Sequence, residues 1–117
     1  MRRSLILLLL TALLTLLAPR AAGARGFRLA STPNPFGAST TVELSHPLAG
    51  SVQARIAVFD LAGREVARLW DGEVSGGVTR TTWGGRAGSG ALAAPGVYVL
   101  RAQVGSVLLS RRVVVTR

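Results

Sequence analysis

The sequence contains no cysteine, which excludes disulfide bonds, thiolate metal ligands and attachment of a lipid through an N-terminal cysteine. Lysine is also absent, so all 14 basic residues are arginines, set against five acidic residues. A basic chain can bind nucleic acid, anionic lipid or acidic polysaccharide. Here the arginines are mostly single and aromatic residues make up only 5% of the sequence, so platforms for stacking bases are missing. We therefore predict no nucleic-acid partner.

Groups that carry out chemistry are equally scarce. The only histidine, His46, precedes a proline in a predicted turn, so we expect an exposed loop residue rather than a catalytic base. The five acids are dispersed and no G-x-S-x-G elbow occurs. The glycine-rich residues 84–90 lack the lysine and the following helix of a phosphate-binding loop. We predict no enzymatic activity, no metal or other cofactor and no small-molecule substrate.

The one long hydrophobic run lies at the N-terminus, where residues 5–17 follow two arginines. At ~1.5 Å per helical residue the run covers about 20 Å, less than the ~30 Å core of a bilayer. Small residues follow at the −3 and −1 positions, Ala22 and Ala24. This pattern predicts a cleavable signal peptide over residues 1–24 and an exported mature domain over residues 25–117. A retained membrane anchor is the alternative; otherwise the only membrane contact is through the signal peptide before cleavage.

The longest strand candidates of the mature chain alternate between apolar and polar residues. Residues 51–60 and 96–104 both show this period of two, which indicates strands with one buried face. Gly105 and Ser106 alone separate the second of them from residues 107–116, and a connection of this type predicts a tight hairpin. The side chains predicted to be buried are Val52, Ile56, Val58, Tyr98 and Leu100.

Shorter strand candidates complete the prediction of the fold class. They lie at residues 27–30, 40–44, 65–71 and 79–83. Turn signals recur about every ten residues, one of them over residues 70–77, and no window has a sustained helical period. We predict an all-β, immunoglobulin-like Greek-key sandwich of about seven antiparallel strands. The glycine- and alanine-rich residues 84–95 are predicted to form an exposed loop.

Two further features receive structural predictions. In the turn over residues 60–64, Asp60 is expected to accept hydrogen bonds from turn amides and Gly63 to adopt a positive φ. Trp83 ends a strand candidate and is expected to close one end of the core. A carbohydrate platform is the alternative for this tryptophan.

Short motifs occur in a fixed order along the mature chain. They are PNPF at 33–36, STT at 39–41, VFDLAGREV at 58–66, LWDGEVSGG at 69–77, a tryptophan at 83, PGVYVLR at 95–101 and SRRVVV at 110–115. This ordered set resembles the type A C-terminal sorting domain of the type IX secretion system (T9SS). It is equally similar to the Ig-like domain of flagellar hook-capping (FlgD-type) proteins. No single motif is specific; the ordered combination carries the resemblance, which covers about residues 27–117.

The resemblance implies an exported module that an outer-membrane secretion translocon recognises for secretion or surface attachment. It implies a location in the periplasm, at the outer-membrane surface or outside the cell. The residues that match recognition elements by position are Gly63, Arg64, Gly96, Tyr98, Arg111 and Arg112. Where the family usually has acids this chain has Gly84 and Ala87, which puts any ion or hydrogen bond of those acids in doubt.

The resemblance also makes Pro33, Asn34, Pro35 and Phe36 the structural entrance, where a passenger protein joins the sandwich. Each proline fixes φ and lacks an amide donor, so the chain turns without pairing with a neighbouring strand. Asn34 is expected to turn its amide back onto the fold, and Phe36 to enter the core.

For a sorting domain we expect the signal in the C-terminal hairpin. The adjacent Arg111 and Arg112 would contact carboxylates of a receptor, and residues 113–115 would add a strand to a partner sheet. The alternative is that both arginines are solvated positions that protect an edge strand from aggregation. Two other functions remain open: a stand-alone Ig-like structural or adhesive module of the envelope or an appendage, and a polysaccharide-binding module that uses arginine and tryptophan.

Overall fold

The computed structural model describes residues 25–117, so the predicted signal peptide and its cleavage site at Ala22 and Ala24 lie outside the described residues. Seven strands account for most of this range. They are β1 (Arg28–Thr32), β2 (Thr40–His46), β3 (Val52–Phe59), β4 (Glu65–Val74), β5 (Gly77–Trp83), β6 (Gly96–Val104) and β7 (Val107–Val115).

The strands form two sheets with the orders β1-β2-β5 and β4-β3-β6-β7, and all neighbouring strands are antiparallel. The chain changes sheet after β2, after β4 and after β5. The fourth strand therefore pairs with the third, whereas in an immunoglobulin constant domain it would join the sheet of the first two. The prediction of an all-β sandwich of seven antiparallel strands is confirmed.

The core lies between the two sheets and takes apolar side chains from both. Ile56, Val58 and Leu100 are fully buried and Tyr98 is 9% exposed, as the alternation predicted. Val52 is only half-buried, because it is the first residue of β3 and lies at the end of its sheet. The period of two therefore identified the buried face correctly, and the prediction was too strong only at the end of the strand.

Strand β4 is longer than the sequence indicated. It continues through the predicted turn over residues 70–77 as far as Val74, so that only Ser75 and Gly76 connect it to β5. Asp71 and Glu73 are exposed while Val74 is buried, which extends the alternation across the aspartate–glycine pair that resembled a turn. The reversal lies inside the predicted range, at Ser75 and Gly76, but the prediction started it too early, because cross-strand pairing with β3 overrides the local turn signal at Asp71 and Gly72.

The prediction of an exposed loop position for His46 was also wrong. His46 is the last residue of β2 and is 5% exposed. Its Nδ1 accepts a hydrogen bond from the backbone amide of Leu48 (3.2 Å), and its Nε2 donates to the carbonyl of Ser75 (2.9 Å). Because a backbone amide can only donate, the ring proton must lie on Nε2. Pro47 ends the strand after the histidine and does not displace the histidine into solvent.

The segment 84–95 is folded rather than open. The amide of Ala87 donates to the carbonyl of Ala91, and the amide of Ala93 donates to that of Gly85, both at 2.8 Å. Ala93 is buried against the core. The exposed-loop prediction therefore describes the tip of the segment but not its base. At Ala87, one of the positions where the resemblance expects an acid, the backbone amide has a backbone acceptor.

Candidate recognition surface

Residues 33–36, which we call the strap, lie along the end of β7. The side-chain amide of Asn34 makes two hydrogen bonds with that strand: Nδ2 donates to the carbonyl of Arg112 (2.9 Å), and Oδ1 accepts from the amide of Val114 (3.0 Å). The hydroxyl of Thr40 donates to the carbonyl of Pro33 (2.8 Å), which holds the start of the strap against β2. The Asn34 side chain thus takes the place of a backbone residue in a neighbouring strand.

Phe36 completes the strap with backbone pairing. Its amide donates to the carbonyl of Val114 (3.0 Å) and its carbonyl accepts from the amide of Thr116 (2.8 Å), a short parallel bridge to β7. Its ring is 2% exposed and packs edge-on against Trp83, with ring centroids 5.4 Å apart. Asn34 and Phe36 therefore lie where the sequence predicted. Their role in joining a passenger protein stays a prediction.

The strap closes the edge that was expected to pair with a partner sheet. The outward carbonyl of Arg112, the amide and carbonyl of Val114 and the amide of Thr116 are already bonded to Asn34 or Phe36. Val113 and Val115 point into the core and are fully buried. The expectation that residues 113–115 add a strand to a partner sheet is wrong for this fold, because both the backbone edge and two of the three side chains are in use.

The two adjacent arginines of β7 point to opposite faces, as successive residues of a strand must. Arg111 lies on the inner side, and its Nε donates to the carbonyl of Leu29 in β1 (3.0 Å), which joins the edges of the two sheets. Arg112 lies on the outer face of the four-stranded sheet, opposite Val99. They therefore do not form a paired cationic site: Arg111 connects the sheets, and Arg112 faces solvent.

The turn that contains Gly63 and Arg64 is organised by Asp60. The Asp60 carboxylate accepts from the amides of Ala62 (3.0 Å) and Arg64 (2.9 Å) and from the Arg64 guanidinium Nε (3.0 Å). The hydrogen bond from the Arg64 amide is the largest cause that lowers the pKa of Asp60 below its ordinary value. Gly63 has a φ of 88°, the positive value that the turn requires. These contacts account for the turn structurally.

The remaining candidates, Gly96 and Tyr98, lie on β6. Gly96 is the first residue of that strand and pairs with Val115. Tyr98 is buried, its ring lies edge-on to Trp83 at 5.5 Å, and its hydroxyl donates to the carbonyl of Ala94 four residues upstream. A tyrosine with this backbone contact is a structural feature of sandwich domains. Tyr98 therefore supports the core and is not exposed for direct recognition.

Trp83 closes one end of the core, as predicted. It is 2% exposed, and its Nε1 donates to the carbonyl of Arg86 (2.9 Å). A ring that packs against Phe36 and Tyr98 offers no open face for a sugar. Trp70 is half-buried within β4 and packs against the core. The carbohydrate alternative for Trp83 is therefore excluded by its burial.

Among the six recognition candidates, Arg64, Arg111 and Arg112 are exposed cations, and the guanidinium of Arg111 is held at the carbonyl of Leu29 in β1. Arg64 lies in the turn before β4 and Arg112 lies on β7, so these two are at opposite edges of the four-stranded sheet. Three strand spacings of about 4.8 Å separate those edges, or about 14 Å. The structure therefore does not bring the candidates together into one cluster. The order of the strands in the sheet determines how far apart these residues lie, and no local pattern in the sequence predicts that order.

Charge is distributed unevenly across the outer face of this sheet. On its β3–β4 side the arginines are paired: Arg55 with Asp71 (3.6 Å), and Arg68 with Glu65 (3.2 Å) and Asp71 (3.3 Å). Glu65 raises the pKa of Arg68 above its ordinary value. On the β6–β7 side Arg101 lies over the ring of Phe59, 4.6 Å from its centroid. None of the five ion pairs among residues 25–117 includes an arginine of β6 or β7.

Residues 25–117 lack two further features that would indicate another kind of site or location. In this range no group of three or more histidine, cysteine, aspartate or glutamate side chains is placed to hold a metal ion. The same residues contain no helix with the length and apolar character needed to cross a membrane.

Comparison with solved structures shows which proteins contain a similar domain. One match is dimeric latent PorU from Porphyromonas gingivalis, with a TM-score of 0.67 and 19% identity over 75% of this chain and 9% of PorU. Another is PorZ, an essential surface component of the type IX secretion system of the same bacterium, with a TM-score of 0.50 and 22% identity over 76% of this chain and 11% of PorZ. At such identities the likeness shows the fold. The chain thus matches about a tenth of the length of either protein.

Comparison of sequences adds no family. No family model matches the chain, and no curated protein matches it.

Proposed function

We propose that this chain is a non-catalytic exported module of the type IX secretion kind, which an outer-membrane translocon recognises for secretion or surface attachment. The observation that supports it is the fold match with parts of PorU and PorZ, the second of them a surface component of that secretion system. Independently of the structural comparison, the ordered motif set of residues 27–117 resembles the sorting domain of the same secretion system, although it is equally similar to the hook-capping Ig-like domain. The proposed location is the cell surface or the medium.

We infer a recognition role from the charges of the exposed surface. The exposed charged groups of the described domain lie on a sheet face and on turns, and several of them neutralise each other in ion pairs. The acids that remain near one another, Glu65 and Asp71, share Arg68 between them. Such a surface suits contact with another protein, because dispersed charges set orientation and association rate more than they provide a reaction centre.

The proposal is tested by export of a reporter. Residues 25–117 are fused behind a reporter that carries a signal peptide, in a bacterium that has the type IX machinery, and surface display is measured by protease accessibility and labelling of intact cells. We expect the fusion at the surface and the reporter alone in the periplasm. The same strain without the translocon should retain the fusion in the periplasm.

The variants must leave the core intact. Ending the chain at Leu109 would delete the buried Val113 and Val115 together with the binding partners of the strap, so loss of export would only report unfolding. Arg112→Ala is suitable because the Arg112 side chain is exposed on the outer face; Arg80→Ala, an exposed arginine of the other sheet, is its matched control. A parent fusion that stays in the periplasm would refute the proposal and leave the stand-alone Ig-like structural module as the better account.

A further inference from the structure

The edge of β7 is only partly covered by the strap. Strand β7 is the last strand of its sheet, and no further strand pairs with it among residues 25–117. The strap bonds identify the direction of the backbone groups: those of Arg112 and Val114 point away from β6. This direction alternates from one residue to the next along an antiparallel strand. The amide and carbonyl groups of Leu108 and Ser110, and the amide of Arg112, therefore also point away from β6.

This open edge has the length of an ordinary strand. It begins at Val107, after the Gly105–Ser106 turn, and ends at Arg112, where Asn34 takes the next position. Six residues at about 3.3 Å each span about 20 Å, the usual length of a strand in a sheet. Leu108 is 57% exposed on the outer side of this stretch. The edge therefore offers five backbone groups and one apolar side chain to an added strand.

Charge on the hairpin of β6 and β7 indicates the chemistry of that strand. All five acids of the sequence lie between residues 43 and 73, whereas the hairpin contains three arginines and no acid. Arg112 and Arg101 both face outwards on this side of the sheet. Residues 25–117 carry 11 arginines against five acids, so a second copy of the domain would approach with the same positive charge. An acidic partner is favoured over self-association.

We propose that the edge of β7 from Val107 to Arg112 binds an extended acidic segment of a partner protein as a fifth strand of the sheet. Backbone groups of Leu108, Ser110 and Arg112 supply the hydrogen bonds, as in other cases of strand addition. An acidic side chain of the segment pairs with Arg112, and an apolar one covers Leu108. The inference rests on the proposed function, since the partner is taken to be the receptor which that function requires.

The test uses purified residues 25–117, which contain both sheets and the entire core described above. The probes are fluorescein-labelled heptapeptides of alternating valine with glutamate, or of alternating valine with lysine. We expect the glutamate peptide to bind at least about tenfold more tightly by fluorescence anisotropy, the difference that one or two charged contacts supply. Amide exchange at Leu108, Ser110 and Arg112 should slow on binding. The amides of Leu109 and Arg111, which face β6, should not change.

Two perturbations separate strand addition from simple charge attraction. Ser110→Pro removes an outward amide without removing a bond to β6, and should weaken binding about tenfold while the circular dichroism spectrum stays that of the parent. N-methylation of the glutamate peptide on alternate residues should have the same effect, and this result does not depend on folding of a variant. Arg112→Glu should weaken binding, whereas Arg28→Glu, the same charge change on β1, should not.

Every outcome decides the proposal. Equal binding of both peptides, undiminished binding of the N-methylated peptide, or slowed exchange elsewhere would overturn it. A dimer of the free domain that Ser110→Pro dissociates would assign the edge to a second copy and would also overturn it. A Ser110→Pro fusion that reaches the cell surface like the parent would show that the receptor does not bind this edge, but it would not contradict the proposed function. A parent fusion retained in the periplasm would refute the proposed function, while the peptide measurements still decide the edge.

Discussion

Replacing Asn34 by alanine removes both side-chain hydrogen bonds that join the strap to β7. A hydrogen bond contributes a net 0.5–1.5 kcal/mol, so the pair is worth about 1–3 kcal/mol. Both bonds are exposed, and water can satisfy the freed groups, which places the expected loss in unfolding free energy at about 1–2 kcal/mol. For a domain of this length each 1 kcal/mol lowers Tm by about 4–8 °C.

Two measurements on residues 25–117 check this value. Urea unfolding gives the loss as a shift of the midpoint at unchanged slope. Hydrogen exchange shows where in the domain stabilisation is lost. In Asn34→Ala the amide of Val114 loses its acceptor and should exchange faster, whereas the amides of Val113 and Val115, which face β6, should not.

The matched controls are Asn34→Asp and Ser39→Ala. Aspartate keeps the acceptor for Val114 but turns its second, acceptor-only oxygen towards the Arg112 carbonyl, so it should not restore the stability lost in Asn34→Ala. The exposed Ser39→Ala should stay within about 0.5 kcal/mol. An Asn34→Ala midpoint equal to that of the parent, or unchanged exchange at Val114, would show that the strap is not held by this side chain.

Three further predictions concern stability. Ile56→Ala should lower the unfolding free energy by about 2–5 kcal/mol in urea, since Ile56 is fully buried. Arg55→Gln on the opposite face of β3 should stay within about 0.5 kcal/mol, and the reverse ranking would contradict the assignment of the two faces. Gly63→Val should destabilise the fold by about 1–3 kcal/mol through backbone strain at its φ of 88° alone, because an added Cβ meets no atom within 4 Å. Gly63→Asn should cost less, since asparagine tolerates positive φ better; equal losses would indicate a steric clash instead. Because the pKa of Asp60 is lowered in the folded state, its ionised carboxylate stabilises the fold fully above the unfolded-state pKa of about 3.9, and this stabilisation is lost as the pH falls through the folded-state pKa. The difference in unfolding free energy between the parent and Asp60→Asn should therefore be constant near neutrality and shrink below about pH 4. A difference that grows towards acid pH would contradict this sign.

What the sequence could predict was local. The period of two in β3 and β6 identified Ile56, Val58 and Leu100 as buried, since a strand with one face on a core records that face in its own residues. The Gly105–Ser106 turn and the positive φ at Gly63 were predictable for the same reason: turn chemistry involves only a few neighbouring residues. The burial of Phe36 came from the ordered motifs, not from periodicity.

What the sequence could not predict depends on distant contacts. Adjacent arginines on β7 resemble one site, but strand order places Leu29 of β1 within reach of Arg111 and no such group beside Arg112. The burial of His46 is tolerated because the carbonyl of Ser75, 29 residues away, accepts a hydrogen bond from its ring. The same applies to the closed edge at Val114: nothing in residues 113–115 indicates that a segment about 80 residues earlier already covers it.

The strap has a consequence for the order in which the chain can fold. Asn34 and Phe36 bind residues that lie 78 to 80 positions later in the sequence, and Leu29 accepts a bond from a residue 82 positions later. Contacts this distant form late, since most of the chain must be ordered before the two segments meet. A chain that leaves a membrane channel with its N-terminus first would keep these early segments without partners until residues 111–116 emerge. Completion of the fold would then mark the arrival of β7.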